Sequence, residues 1–183
     1  MPDDFDPENP TDDLTPLYAR PGFMIRRAHQ IAQTIFLEEN NGITPTQYGV
    51  MRILWARPEL DQVSVARLLG QDRSTAALVL KKLTKDGLVE RRDATDDRRR
   101  KVLTLTPKGA ALLVDIRNSV RRSHAKLLSA FTKKDAAEFL RLLELFVSTF
   151  NSKSRTPLET GARHPSPRRR RKSLPPGRIS TTP

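Results

Sequence analysis

The chain has 183 residues, enough for one domain with a hydrophobic core plus extensions, and its 33 Lys and Arg outnumber 21 Asp and Glu for a formal net charge of +12. It contains no cysteine, which excludes disulfides, a thiolate nucleophile and a cysteine redox switch, and removes the commonest structural zinc sites. No apolar run approaches ~20 residues and the acidic, Pro-rich start is unlike a signal peptide, so no membrane span is expected and a cytoplasmic location is.

The charge is unevenly placed. Residues 1–16 carry −6 and residues 152–183 carry +8, so the middle, 17–151, holds +10 of the net +12. A compact segment with that excess favours a polyanion, either nucleic acid or an anionic surface.

Residues 1–16 are acid and proline with little to bury, and are expected to form a disordered arm. From Pro21 the pattern turns helical: Met24, Ile25, Ala28, Ile31, Ala32 and Ile35 recur at three and four, with Arg26, Arg27, Gln30 and Gln33 off the stripe. Asn40-Asn41-Gly42 ends this helix, since Asn or Gly accepts the left-handed conformation past a last turn. Thr44-Pro45-Thr46-Gln47 opens the next: Thr44 caps, Pro45 suits the first helical position, and Gln47 bonds back. That helix stops near Arg57-Pro58.

From Val63 to Thr106 the chain reads helix, tight turn, helix, hairpin. Ser64–Leu69 is a short helix ended by Gly70, and Asp72 caps the following one, whose buried stripe is Ala76, Val79, Leu80 and Leu83. Leu88–Arg92 and Val102–Leu105 form the arms of a hairpin with a tip rich in arginine. Thr106-Pro107 repeats the cap-plus-proline signal and opens one long helix with Leu112, Leu113, Ile116, Val120, Leu127 and Leu128 inside. Thr132 caps the last helix, on which Phe139, Leu142, Leu143, Phe146, Val147 and Phe150 are apolar. This stripe is too wide for one contact and implies a partner subunit. After Asn151 the composition falls to Ser, Pro, Arg and Thr around Arg168–Lys172, which is expected to be a disordered basic tail.

A helix-turn-helix with a basic wing is a device for holding duplex DNA. With 76, 79, 80 and 83 inside, Ser74, Ala77, Leu78 and Lys81 lie on the opposite side, joined by Arg73 and Thr75 at the N-terminal end. Arg73 is the candidate for a bidentate contact to guanine, Ser74 and Thr75 for base edges or phosphate, and Ala77 or Leu78 for a thymine methyl. Lys81 and Lys82 are expected to hold phosphates. At the wing tip Asp97 is spaced to orient Arg99 for a narrow minor groove, with Arg98, Arg100 and Lys101 on phosphates. Three scattered His (29, 124, 164), no Cys and no Gly-rich phosphate loop assemble no catalytic set, so neither enzyme activity, cofactor nor metal is expected.

Val65–Thr75 through Leu83, then Gly87-Leu88-Val89-Glu90-Arg91, Asp97-Arg98-Arg99 and Leu103–Gly109, resemble in order and spacing the MarR family of winged-helix transcriptional regulators, over Leu17 to Asn151. The resemblance implies a mainly α fold with a small β wing (α+β), in which terminal helices 17–41 and 107–151 interlock as an intertwined homodimer around winged helices 44–106. It also implies a palindromic double-stranded DNA operator, and puts Asp97 and Arg99 at the family's wing positions. Leu78 departs from the pattern, where many relatives carry a polar or basic residue.

Family members usually release DNA on binding a small organic acid between the dimerisation helices and the winged helix. The segment Pro21–Ala32 is similar to regulators of aromatic-acid degradation, including hydroxycinnamoyl-CoA responders. A pocket for an aromatic anion needs an apolar wall and a placed cation. Arg26, Arg27 and His29 with Tyr48, Met51, Arg52 and Trp55 are the candidates, for an aromatic acid or its CoA thioester. The reading is a repressor released from DNA by its effector. The alternatives are a non-specific architectural DNA binder without effector response, gripping through Arg168–Lys172, and a winged helix that docks on a protein.

Overall fold

The computed structural model describes residues 14–94 and 101–159. In chain order these form α1 (Thr15–Tyr18), α2 (Pro21–Glu39), α3 (Pro45–Ala56), α4 (Gln62–Leu69), α5 (Arg73–Lys85), β1 (Val89–Asp93), β2 (Lys101–Leu105), α6 (Pro107–Asp115), α7 (Arg117–Leu128), α8 (Lys133–Phe150) and a 3-10 turn, Asn151–Lys153. The arm over 1–13, the wing tip over 95–100 and the tail from 160 lie outside the described residues.

The caps written in the sequence set the helix starts. The Thr44 hydroxyl accepts from the Gln47 amide at 3.1 Å while the Gln47 side chain accepts from the Thr44 amide at 2.8 Å, closing the expected capping box. Thr106 accepts from the Gly109 amide and Thr132 from the Asp135 amide. The α4 start differs from expectation: the Asp61 carboxylate takes the Val63 and Ser64 amides at 2.8 and 3.0 Å, so the helix begins at Gln62 rather than Ser64.

Two cores organise the chain. The larger joins Val50, Met51 and Leu54 of α3, Val65 of α4, Leu80 and Leu83 of α5, Leu88 and Val89, Leu103 of β2 and Leu113 of α6. Leu60 bridges to Leu103, whose amide donates to the Leu60 carbonyl at 2.8 Å, adding a one-residue third strand to the antiparallel β1–β2 pair. The smaller core is Phe36 of α2 against Ile116 and Val120. The helix expected to run unbroken from Pro107 to Leu128 slackens at Ile116 (φ −82°, ψ −1°). Here it passes from the first core, which takes Leu113, to the second, which takes Ile116 and Val120.

The outer helices leave much apolar surface uncovered within one chain. On α8 Phe139, Leu140, Leu142, Leu143, Leu145, Phe146, Val147 and Phe150 are all exposed, as are Met24, Ile25 and Ile31 on α2. Contrary to the expected tail, packed structure continues past Asn151. The Asn151 carboxamide accepts from the Leu158 amide at 2.8 Å and donates to the Leu158 carbonyl at 3.0 Å, and the Thr156 hydroxyl donates to the Gly70 carbonyl at 2.7 Å.

Candidate nucleic-acid interface and effector cavities

The α4–α5 turn is built so that α5 starts with its first turn exposed. Gly70 ends α4 in the left-handed region (φ +64°), where a side chain would be strained. Asp72 then caps α5: its carboxylate takes the Thr75 amide at 2.8 Å, the Ser74 hydroxyl at 2.5 Å and the Thr75 hydroxyl at 2.7 Å. The Ser74 hydroxyl, then the Thr75 amide and hydroxyl, hold the Asp72 carboxyl far below the usual carboxylate range, so it stays anionic beneath those side chains.

Of the expected inner stripe Ala76, Leu80 and Leu83 are buried and Val79 is half-buried, and the outer face of α5 carries exposed Arg73, Ser74, Leu78, Lys81 and Lys82, with Ala77 and Thr75 half-buried. Leu78, at 69% exposure, is the most exposed large apolar residue among the described ones. Lys82 pairs with Asp86 at 2.9 Å along the helix. Lys101, at the far end of β2, is ion-paired with Asp93 across the hairpin. Arg91 donates to the Gln62 side chain at 2.7 Å, tying the wing strand to α4, and Arg92 donates to the Thr104 hydroxyl at 3.0 Å. The expected wing contacts Asp97, Arg98, Arg99 and Arg100 lie outside the described residues.

The seven expected effector residues are spread over several places. Tyr48, Arg52 and Trp55 line one cavity of about 380 Å³ with Leu113, Val114 and Arg117. His29 lines a second, of about 620 Å³, between α2, α7 and the helix-turn-helix, with Phe36, Gln71, Thr75, Ser123 and His124 among its other walls. Met51 is fully buried in the larger core, so an effector contact there would require that core to open. Arg26 lies over the Phe23 ring at 4.8 Å and Arg27 donates to Gln30, both on the exposed flank of α2. Arg117 and His124 were not singled out from the sequence; each reaches its cavity only through the packing of α6 and α7. Among the described residues no group of three or more His, Cys, Asp or Glu gathers as a metal site. No described helix is long and apolar enough to cross a membrane.

The profile of the MarR family matches residues 43–101, the winged-helix segment. A protein assigned to transcriptional regulation of the hcr operon in Thauera aromatica is 31% identical over 128 residues, covering 67% of this chain and 76% of that one. The fold matches the PcaV transcriptional regulator of Streptomyces coelicolor in complex with its natural ligand (TM-score 0.66, 28% identity, 76% of this chain, 98% of that chain). It matches equally the transcriptional repressor CouR bound to a 23-mer DNA duplex (TM-score 0.66, 27% identity, 75% of this chain, 99% of that chain). The chain belongs to the MarR family of winged helix-turn-helix transcriptional regulators.

Proposed function

We propose that the protein is a homodimeric repressor that binds a palindromic duplex operator through α5 and the wing, and leaves it when an aromatic acid or its CoA thioester binds. The observation that carries this is the outer face of α5: an exposed leucine between Arg73, Ser74 and Lys81 on a helix whose other side packs Ala76, Leu80 and Leu83 into the core. An apolar side chain set beside cations and a hydroxyl acceptor suits the major groove, where a thymine methyl lies beside base edges and phosphates. Arg73 is the proposed base reader, with Ser74, Ala77 and Leu78 beside it, and Lys81 and Lys82 on phosphates. Arg99, oriented by Asp97 and flanked by Arg98, Arg100 and Lys101, is proposed for the minor groove.

The uncovered apolar faces of α8 and α2 support pairing, because a single soluble chain rarely exposes so much contiguous apolar surface. Two copies related by a two-fold axis would set the recognition helices about one helical turn (~34 Å) apart. The Tyr48, Arg52, Trp55 and Arg117 cavity supports the effector reading: two aromatic walls and two guanidinium groups suit an aromatic carboxylate. It lies between α3 and α6, so a ligand there bears on the junction of winged helix and outer helices. Release needs a ligand that favours the DNA-free arrangement by ~1–3 kcal/mol.

The test is selection of a duplex by the full chain from a randomised library, followed by a mobility assay with Arg73→Ala and with added aromatic acids. The expected result is a palindromic site, a loss of affinity of ~1–3 kcal/mol in the variant, and release by at least one acid. Equal binding of random and selected duplexes, with no release, would favour the non-specific architectural reading.

A further inference from the structure

The chain beyond α8 does not simply leave the domain. Asn151 clamps the main chain of Leu158 on both sides, shaping 151–158 into a closed strap. The strap is fixed to the C-terminal end of α4: Thr156 donates to the Gly70 carbonyl, the Glu159 amide donates to the Arg67 carbonyl at 3.4 Å, and the Glu159 carboxylate lies 3.7 Å from the Arg67 guanidinium. Leu158 lies along a groove with Ile53, Ala56, Arg57 and Leu68. A Cβ on Gly70 would meet its methyl at 3.4 Å. The root of everything after Glu159 is therefore held two residues from the cap of the recognition helix.

The chain past that root is strongly basic: residues 160–183 carry seven Lys and Arg and no acid, five of them consecutive at Arg168–Lys172. In a helix-turn-helix seated on duplex, the first helix crosses the phosphate backbone, and here that helix is α4, the one that holds the strap. Arg168 comes nine positions after Glu159, a covalent reach of at most about 30 Å, or nearly one turn of B-form DNA. Resting on the DNA-binding reading above, we propose that the strap is an anchor that commits the arginine run to the phosphates flanking each half-site. The acidic segment 1–13 is the rival occupant, but it is rooted on a different element: α1 packs on the start of α2 through Tyr18 and Phe23, with ring centroids 5.2 Å apart.

The experiment uses the full chain and its selected duplex in two lengths, one trimmed to the protected segment and one extended by about one helical turn (~10 base pairs) on each side. The Arg168→Gln, Arg169→Gln, Arg170→Gln and Arg171→Gln changes are made together, and Leu158→Asp separately. On the long duplex the fourfold variant should lower the slope of log K against log salt by about 3 to 4 per engaged tail and weaken binding roughly tenfold or more. On the short duplex it should change little. Leu158→Asp should weaken long-duplex binding several-fold and add nothing to the fourfold variant, while the melting profile of the domain stays in place. Equal salt slopes for parent and fourfold variant on the long duplex, or equal losses on both lengths, overturn the proposal. So does a tail contribution that emerges only after residues 1–13 are deleted, which would make the acidic arm the occupant. If the parent itself selects no duplex, the functional reading falls and this inference with it.

Discussion

The Ser119 hydroxyl on α7 donates to the Asn40 side-chain oxygen at 2.8 Å, across 79 positions of sequence. Asn40 is fully buried at the end of α2, and its amide group donates to the Phe36 carbonyl at 2.8 Å. This polar link sits beside the Phe36, Ile116 and Val120 core, where α2 and α7 meet. Asn40→Ala should cost ~1–3 kcal/mol in urea unfolding, because it strips a buried pair of bonds. Ser119→Ala should cost less, because the hydroxyl it removes is only half-buried and its partner Asn40 keeps the bond to Phe36. The double variant should cost less than the sum; strict additivity would show that the two side chains do not act together.

Gly109 marks where α6 presses on the base of the wing. A Cβ there would lie 2.2 Å from the Leu88 carbonyl oxygen and 2.8 Å from a Leu105 methyl. Gly109→Ala should therefore destabilise the winged helix by ~1–3 kcal/mol despite the better helix propensity of alanine. A melting temperature at or above that of the parent would contradict the packing described.

Asp61 should make α4 sensitive to acid. Hydrogen bonding from the Ser64 amide, against a smaller burial effect, holds its carboxyl below the ordinary value, with the Ser64 hydroxyl and Val63 amide adding to the shift. A depressed folded-state pKa contributes stability that is present above the unfolded value, ~3.9, and is lost as pH falls through the folded one. Asp61→Ala should cost about 1 kcal/mol at neutral pH. The gap between parent and variant should close below about pH 4. A gap that persists undiminished at that acidity would show that the carboxylate is not the cap.

The exposed row on α8 should be the seam between two copies. Leu143→Asp together with Phe146→Asp should raise the dimer dissociation constant roughly 100-fold or more, since a two-fold interface receives each charge twice. Sedimentation at micromolar concentration reads the result directly. A parent that already sediments as a single chain would refute the assignment of this face.

Much of the fold was legible because the local signals agreed with one another. Thr44-Pro45-Thr46-Gln47, Asp72 and Thr132 each announced a helix start, and the three-and-four spacing of Ala76, Leu80 and Leu83 fixed which side of α5 is buried. The slackening at Ile116 was not legible. No Gly or Pro marks it, and its cause is a choice between two cores that exists only after folding. Arg117, the first residue after that break, lines the cavity with Tyr48, Arg52 and Trp55. Met51 carried the opposite lesson: apolar, and close in sequence to aromatic and basic neighbours, it is drawn wholly into the core. The strap was not legible either, because composition averages over a window. Asn151, Thr156 and Leu158 are three anchors dispersed in a stretch dominated by Ser, Pro and Arg.

The Asp72 carboxylate has one more effect on the surface above it. By accepting the Ser74 hydroxyl proton at 2.5 Å, it leaves that oxygen with lone pairs alone to present outward. A molecule approaching the first turn of α5 must then bring a hydrogen of its own to satisfy Ser74: an amine edge is welcomed there and a bare oxyanion is turned away.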